Sequence, residues 1–217
     1  VNTGQVPERY LGVWSRTLLK TPETSDVSTL ALWMQLGQWH VDLRVPPSVE
    51  RASQGFSGTT QITQAGGQEI CTWHRVVDYQ PPRTTVDEGW MVFETPEKVL
   101  ETGIHGNYFE VWERLPGSTG RRIAAAEKLE NNDTTGARLF VSGDFMMRVR
   151  PAVPLSPHFE ISFGLFSSGK FSIQASTISG LKDTCTDISI FRIDENAAKV
   201  VMDSVRSEWT VLEWVES

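Results

Sequence analysis

Lysine is scarce in this chain of 217 residues, with six lysines against fourteen arginines. Basic residues number 20 and acidic residues 27, for a formal charge of −7 and a pI near 5.2. A broad nucleic-acid surface wants clustered Lys and Arg and a pI above about 9, so no nucleic-acid partner is expected. Cysteine is scarcer still: Cys71 and Cys185 lie far apart, and nothing in their spacing asks for a bridge. The expectation is two free, buried thiols in a reducing compartment. No apolar run approaches the roughly 18 residues of a membrane span. No charged-then-apolar leader opens the chain. A cytoplasmic protein without membrane contact is therefore expected.

Several chemistries lack their residues. There is no C-x-x-C and no H-E-x-x-H, and His40, His74, His105 and His158 show no ligand spacing, so no metal is expected. No G-x-S-x-G elbow is present, which disfavours a serine hydrolase. The run Gly117-Ser118-Thr119-Gly120 lacks the lysine of a phosphate loop and reads as a hairpin turn. Nothing calls for a cofactor.

What the chain does have is apolar material and a period of two. Hydrophobic residues make up 39% and charged residues 22%, which excludes disorder as the main state. The length allows one to two domains. Trp39, Val41, Leu43 and Val45 alternate with His40, Asp42 and Arg44 before Pro46-Pro47. Cys71, Trp73, Val77 and Tyr79 form a second apolar row, which Pro81-Pro82 ends. Alternation bounded by Pro or Gly is the signature of a strand. Similar runs continue to Glu208–Val215, with turns at Ala65-Gly66-Gly67, Asn131-Asn132-Asp133, Ser167-Ser168-Gly169 and Asp194-Glu195-Asn196. The one window rich in helix formers, Ile123–Glu130, sits between strand runs and is read as strand. A dozen or so such runs with very little helix predict an all-β, antiparallel barrel. A single domain over residues 1–217 is expected, with a subdivision near 151–158, where Pro151, Pro154 and Pro157 fall.

Four strands share a partition. One face is apolar: Trp39/Val41/Leu43/Val45, Cys71/Trp73/Val77/Tyr79, Met91/Phe93 and Phe109/Val111/Leu115. The other is mixed: His40/Asp42/Arg44, His74/Val76/Asp78, Trp90/Val92/Glu94 and Tyr108/Glu110/Trp112/Arg114. The mixed face is either simply wet or lines a cavity. Wet sheet faces carry Lys, Thr and Ser, whereas these rows carry His, acids, Arg, Trp and Tyr. Aromatic walls with a few polar groups suit a ligand. His40 with Asp42, and His74 with Asp78, are the candidate catalytic pairs, because a carboxylate-held imidazole is the minimum for acid–base work. Arg44, Trp90, Tyr108, Glu110, Trp112 and Arg114 are the candidate ligand-binding residues. Cys71, on an apolar row, reads as a buried inert thiol.

The segment Tyr10-Leu11-Gly12-Val13-Trp14 resembles the Gly-x-Trp opening of the calycins, the lipocalin-like barrels. The resemblance implies that Trp14 closes one end of a barrel against a basic residue from a late strand, with Arg192 or Arg206 as candidates. The runs YLGVWSRTLLKTP, WHVDLRVP, CTWHRVVDYQPP and HGNYFEVWERLPGSTG resemble an uncharacterised bacterial family of this layout. The function expected is binding of a small, largely apolar ligand in a barrel cavity. The alternatives are a cofactor-free isomerase, hydratase or lyase using a His/carboxylate pair, and a protein-interaction module anchored by exposed Trp.

Overall fold

The alternating runs form strands in the computed structural model, which describes residues 4–78, 85–128, 136–151 and 159–216. Tyr79, Pro81-Pro82, Asn131-Asn132-Asp133, Pro154, Pro157 and His158 lie outside the described residues. The first sheet holds β1 (Gly12–Lys20), β2 (Ser25–Asp26), β3 (Leu30–Gln35), β4 (Trp39–Val45), β5 (Gln54–Ala65), β6 (Gln68–Asp78), β7 (Asp87–Thr95), β8 (Lys98–Gly103) and β9 (Phe109–Arg114). The second holds β10 (Arg122–Glu127), β11 (Arg138–Ser142), β12 (Phe145–Pro151), β13 (Phe159–Ser167), β14 (Lys170–Ser176), β15 (Cys185–Arg192), β16 (Ala197–Met202) and β17 (Val205–Val215). All pairings are antiparallel, and the only helical turns among the described residues are 3-10 turns at Glu8–Tyr10 and Ser179–Leu181. The helix-forming composition of Ile123–Ala126 yields to sheet pairing with β11 and β17.

The sequence reading expects one barrel, and the chain forms two. β1 pairs with β9 to close the first, with β2 as a two-residue extension; β10 pairs with β17 to close the second. The division falls between Pro116 and Gly117. The segment Gly117–Gly120 is therefore not a hairpin, since β9 pairs with β1 and β8 whereas β10 pairs with β11 and β17. The subdivision expected near 151–158 falls inside the second barrel, where Pro151 pairs with Phe159 across β12 and β13. Alternation reports which way side chains point but not which distant strands meet, so the number of barrels has no local mark in the sequence.

Bulges place the rest. β6 carries one extra residue opposite Ser57-Gly58, because Ser57 faces Val77 while Gly58 faces Arg75. A bulge inserts an unpaired residue and shifts the side-chain phase. Gly58 is required there, since a Cβ at this position would collide with the His74 carbonyl oxygen. Backbone cannot yield as a side-chain tip can, so Gly58→Ala is expected to cost about 1–3 kcal/mol or more. Chemical denaturation checks this; an unchanged midpoint would refute the strained contact.

The two interiors differ in kind. The first is aromatic: Trp33 lies 6.1 Å from Trp14, 5.6 Å from Trp73 and 5.9 Å from Trp112, ring centre to ring centre. The second is mainly aliphatic, built on Leu139, Val141, Met146, Phe171, Ile173, Ile188, Val200 and Trp209. A buried ion pair, Arg148 with Glu160 at 2.7 Å, lies within it.

Both cysteines are free, but only Cys71 is buried; Cys185 is exposed, contrary to expectation. Cys185 opens its strand facing Ser172, near the rim of its barrel. Burial also pushes the Cys71 thiol well above its ordinary pKa. A thiol reagent in native buffer should therefore modify one cysteine quickly and Cys71 only through opening of the barrel. Two fast equivalents would overturn this placement.

Candidate functional site

The first barrel contains a cavity of about 200 Å³. Its walls come from nearly every strand: Leu19, Trp33, Asp42, Arg44, Phe56, Trp73, Asp87, Glu101, Tyr108, Glu110 and Trp112. Alternation explains the convergence. Trp33 pairs with Asp42 and Asp42 with Phe56, so the three share the inward face. On β4 and β9 the mixed row is thus the interior one, while Val41 and Leu43 are fully buried on the opposite face of β4.

Asp42, Arg44, Tyr108, Glu110 and Trp112, five residues singled out from sequence, line this cavity. The others do not. His74 is exposed and its ring meets the Gln61 side chain at 3.3 Å. Asp78 pairs instead with Arg75 at 3.0 Å, because the β6 bulge puts residues 74 and 78 on opposite faces. Trp90 is half-buried on the outer face of β7, opposite Met91 and Phe93, which join the interior cluster. The apolar row is the interior one on that strand, so the mixed row points out.

Arg114 lies at the other end of the barrel. Its guanidinium sits 4.9 Å from the centre of the Trp14 ring and donates to the Leu11 carbonyl at 2.8 Å. The basic partner of Trp14 is therefore the last strand of its own barrel. Arg192 and Arg206 belong to β15 and β17 of the second barrel.

His40 is fully buried but is spent on structure. Thr60 donates its hydroxyl to Gln35 Oε1 at 2.8 Å, so His40 must donate from Nδ1 to Thr60 Oγ1 at 3.0 Å. That leaves Nε2 as an unprotonated, unpartnered acceptor. Burial pushes the imidazole pKa down from 6.5 to about 3. The folded protein then binds fewer protons at this site than the unfolded chain in that window. Stability is complete above pH 6.5 and falls as pH drops toward 3, by about 1.4 kcal/mol per pH unit. Unfolding free energies measured between about pH 6 and pH 4 should show a steep acid loss that His40→Gln flattens. An identical slope in the variant would contradict it.

The cavity charges are matched in pairs, with one exception. Asp42 receives two hydrogen bonds from Arg44, at 2.8 and 3.2 Å. Glu110 receives Arg16 at 2.6 Å, and Asp87 receives Arg75 at 2.6 Å. Glu101 is only 4% exposed, and its described partners are neutral: the Tyr108 hydroxyl at 2.8 Å and the Trp112 indole N–H at 3.1 Å. It sits against Gly89, where a Cβ would come within 2.7 Å of its Cγ. Burial, and then the negative charge of Glu110, push the Glu101 carboxyl well above the usual carboxylate range. Burial and the neighbouring Glu101 push the Tyr108 phenol up as well. The result is a buried carboxyl group, with neutral donors on both oxygens, beside a phenol in an aromatic cavity.

Sequence reasoning missed Glu101 and Asp87, and the walls Leu19, Trp33, Phe56 and Trp73. Glu101 lies on a six-residue strand, KVLETG, whose alternation is too short to stand out. Among the described residues, no group of three His, Cys, Asp or Glu side chains is arranged to hold a metal.

No protein-family model matches the chain, and no curated protein matches it. Its structure is similar to the crystal structure of an uncharacterised protein, YLR301w, from Saccharomyces cerevisiae. The TM-score is 0.69 at 15% identity, over 94% of this chain and 98% of that one. At that identity the likeness shows the fold alone. The neighbour is a yeast protein, so the bacterial family expected from sequence finds no support. Among the described residues, no helix is long and apolar enough to cross a membrane.

Proposed function

We propose that the first barrel binds a small, flat, largely apolar ligand in its cavity. The observation that carries this is an inward ring of Trp33, Phe56, Trp73 and Trp112 around space that no side chain fills. A well-packed core leaves few voids larger than a water molecule, and this one is about 200 Å³. Leu19 and Arg44 also line a second cavity of about 420 Å³. The pairing of Trp14 with Arg114 supports a calycin-like character for this barrel, and the two free thiols support a cytoplasmic location.

One observation favours a second reading. Glu101 and Tyr108 make an acid–base pair at 2.8 Å, which is what a cofactor-free isomerase, hydratase or lyase needs. It would use these two groups rather than the His/carboxylate pairs expected from sequence, because His74 faces outward and His40 is engaged by Thr60.

The test is native mass spectrometry of purified protein, followed by titration of single-ring fragments against tryptophan fluorescence. A ligand at about 100 times its Kd should raise unfolding stability by about 2.7 kcal/mol. Leu19→Phe, which narrows the cavity, should weaken the response. No adduct, and no fluorescence or stability response to any fragment at millimolar concentration, would refute the binding role.

A further inference from the structure

The charge pattern of the cavity narrows its ligand. An anion entering would meet the carboxyl groups of Asp42, Asp87, Glu101 and Glu110, and the guanidinium of Arg44 is already held at two points by Asp42. The aromatic walls already accept cations. Arg75 stands 3.5 Å from the centre of the Phe56 ring, and Arg16 stands 5.9 Å from that of Trp112. Ring faces attract cations more strongly where water is excluded. Glu101 lines the cavity and receives one neutral donor on each oxygen, so each oxygen keeps capacity to accept another. Size sets the rest. A cavity of about 150 Å³ holds benzene, so about 200 Å³ admits one ring and a short polar head.

Building on the ligand-binding reading above, we propose that the cavity selects a single-ring organic cation bearing two or more N–H donors, which pairs with the Glu101 carboxyl group. Charge-assisted hydrogen bonds to this carboxylate, shorter and stronger than neutral ones, favour the bound cation. The groups facing Glu101 are Tyr108, Glu110 and Trp112 from the β9 side, Asp87 from β7, Arg44 from β4 and Cys71 from β6. Of these, Tyr108 and Cys71 stay neutral, and Glu110, Asp87 and Arg44 are already in ion pairs.

Isothermal titration calorimetry with benzamidinium, benzamide and benzoate, three ring compounds of nearly equal shape, tests this. Benzamidinium should bind the wild-type protein at least about tenfold tighter than benzamide, with benzoate weakest. Glu101→Gln should bring benzamidinium to the level of benzamide, while benzamide still binds and so reports a folded cavity. The wild-type ranking of the three compounds stands even if that variant misfolds. Equal binding of benzamide and benzamidinium by the wild-type protein, or an unchanged preference for benzamidinium in Glu101→Gln, would overturn the cation proposal and leave the binding role intact. Failure of all three compounds to bind would count against the binding role itself.

Discussion

Trp14→Ala should destabilise the protein by about 3–5 kcal/mol, the usual range for truncating a large buried aromatic. Trp14 has no exposed surface, stacks on Trp33 at 26° between ring planes, and meets Phe93 edge-on at 5.9 Å. Its indole N–H donates to the Tyr10 carbonyl at 2.8 Å. Arg114 lies over the ring and is tied on its other side to the Leu11 and Pro96 carbonyls and the Glu97 carboxylate. Alanine would remove the ring on which these contacts converge and leave Arg114 without its platform. Because Trp33 also stacks toward the cavity, the same variant should loosen fragment binding. Urea unfolding with near-ultraviolet circular dichroism reads both stability and aromatic packing. A loss below about 1 kcal/mol would mean that the end of the barrel is held by other contacts.

Arg148→Ala in the second barrel should cost about 3–5 kcal/mol, for a different reason. Arg148 is 1% exposed and Glu160 is 2% exposed. Glu160 Oε1 accepts Arg148 Nε at 2.9 Å, Arg148 Nη2 at 2.7 Å and the Ser162 hydroxyl at 2.6 Å. Removing Arg148 would strand a carboxylate inside an aliphatic interior. Arg150, which also bonds Glu160, is only partly buried and compensates in part. Replacing both partners, as Arg148→Met with Glu160→Leu, should recover most of the loss, since an apolar pair of similar volume avoids the cost of desolvating ions. Guanidinium denaturation of the two variants decides it. A double variant as unstable as the single one would show that the network does more than balance charge.

The difference between what the chain revealed and what it hid can be traced strand by strand. Regular alternation in WHVDLRV and FEVWER puts Asp42 with Arg44, and Glu110 with Trp112, on one face of their strands, with the absence of lysine as the clue that this face lines a cavity rather than being wet. β6 defeated the same reasoning, because one inserted residue changes which side chains share a face and leaves no mark in composition. β11 and β12 are separated only by the short turn at Gly143-Asp144, so little in the local pattern marks them as two strands. The pairing of Arg16 with Glu110 joins positions 94 residues apart, and no local pattern encodes such a contact. For the same reason nothing local marks Arg114, 100 residues away on β9, as the basic partner of Trp14 in place of Arg192 or Arg206.

Closure of both sheets bears on how another protein could engage this one. In each barrel the first and last long strands hydrogen-bond to one another, and the piece left over in the first sheet is the two-residue β2. A peptide that binds by adding itself as an extra strand needs an unpaired row of backbone N–H and C=O groups. Where those rows are consumed internally among the described residues, recognition falls to side chains and loops rather than to the polypeptide backbone. The same closure denies misfolded copies a template for edge-to-edge stacking.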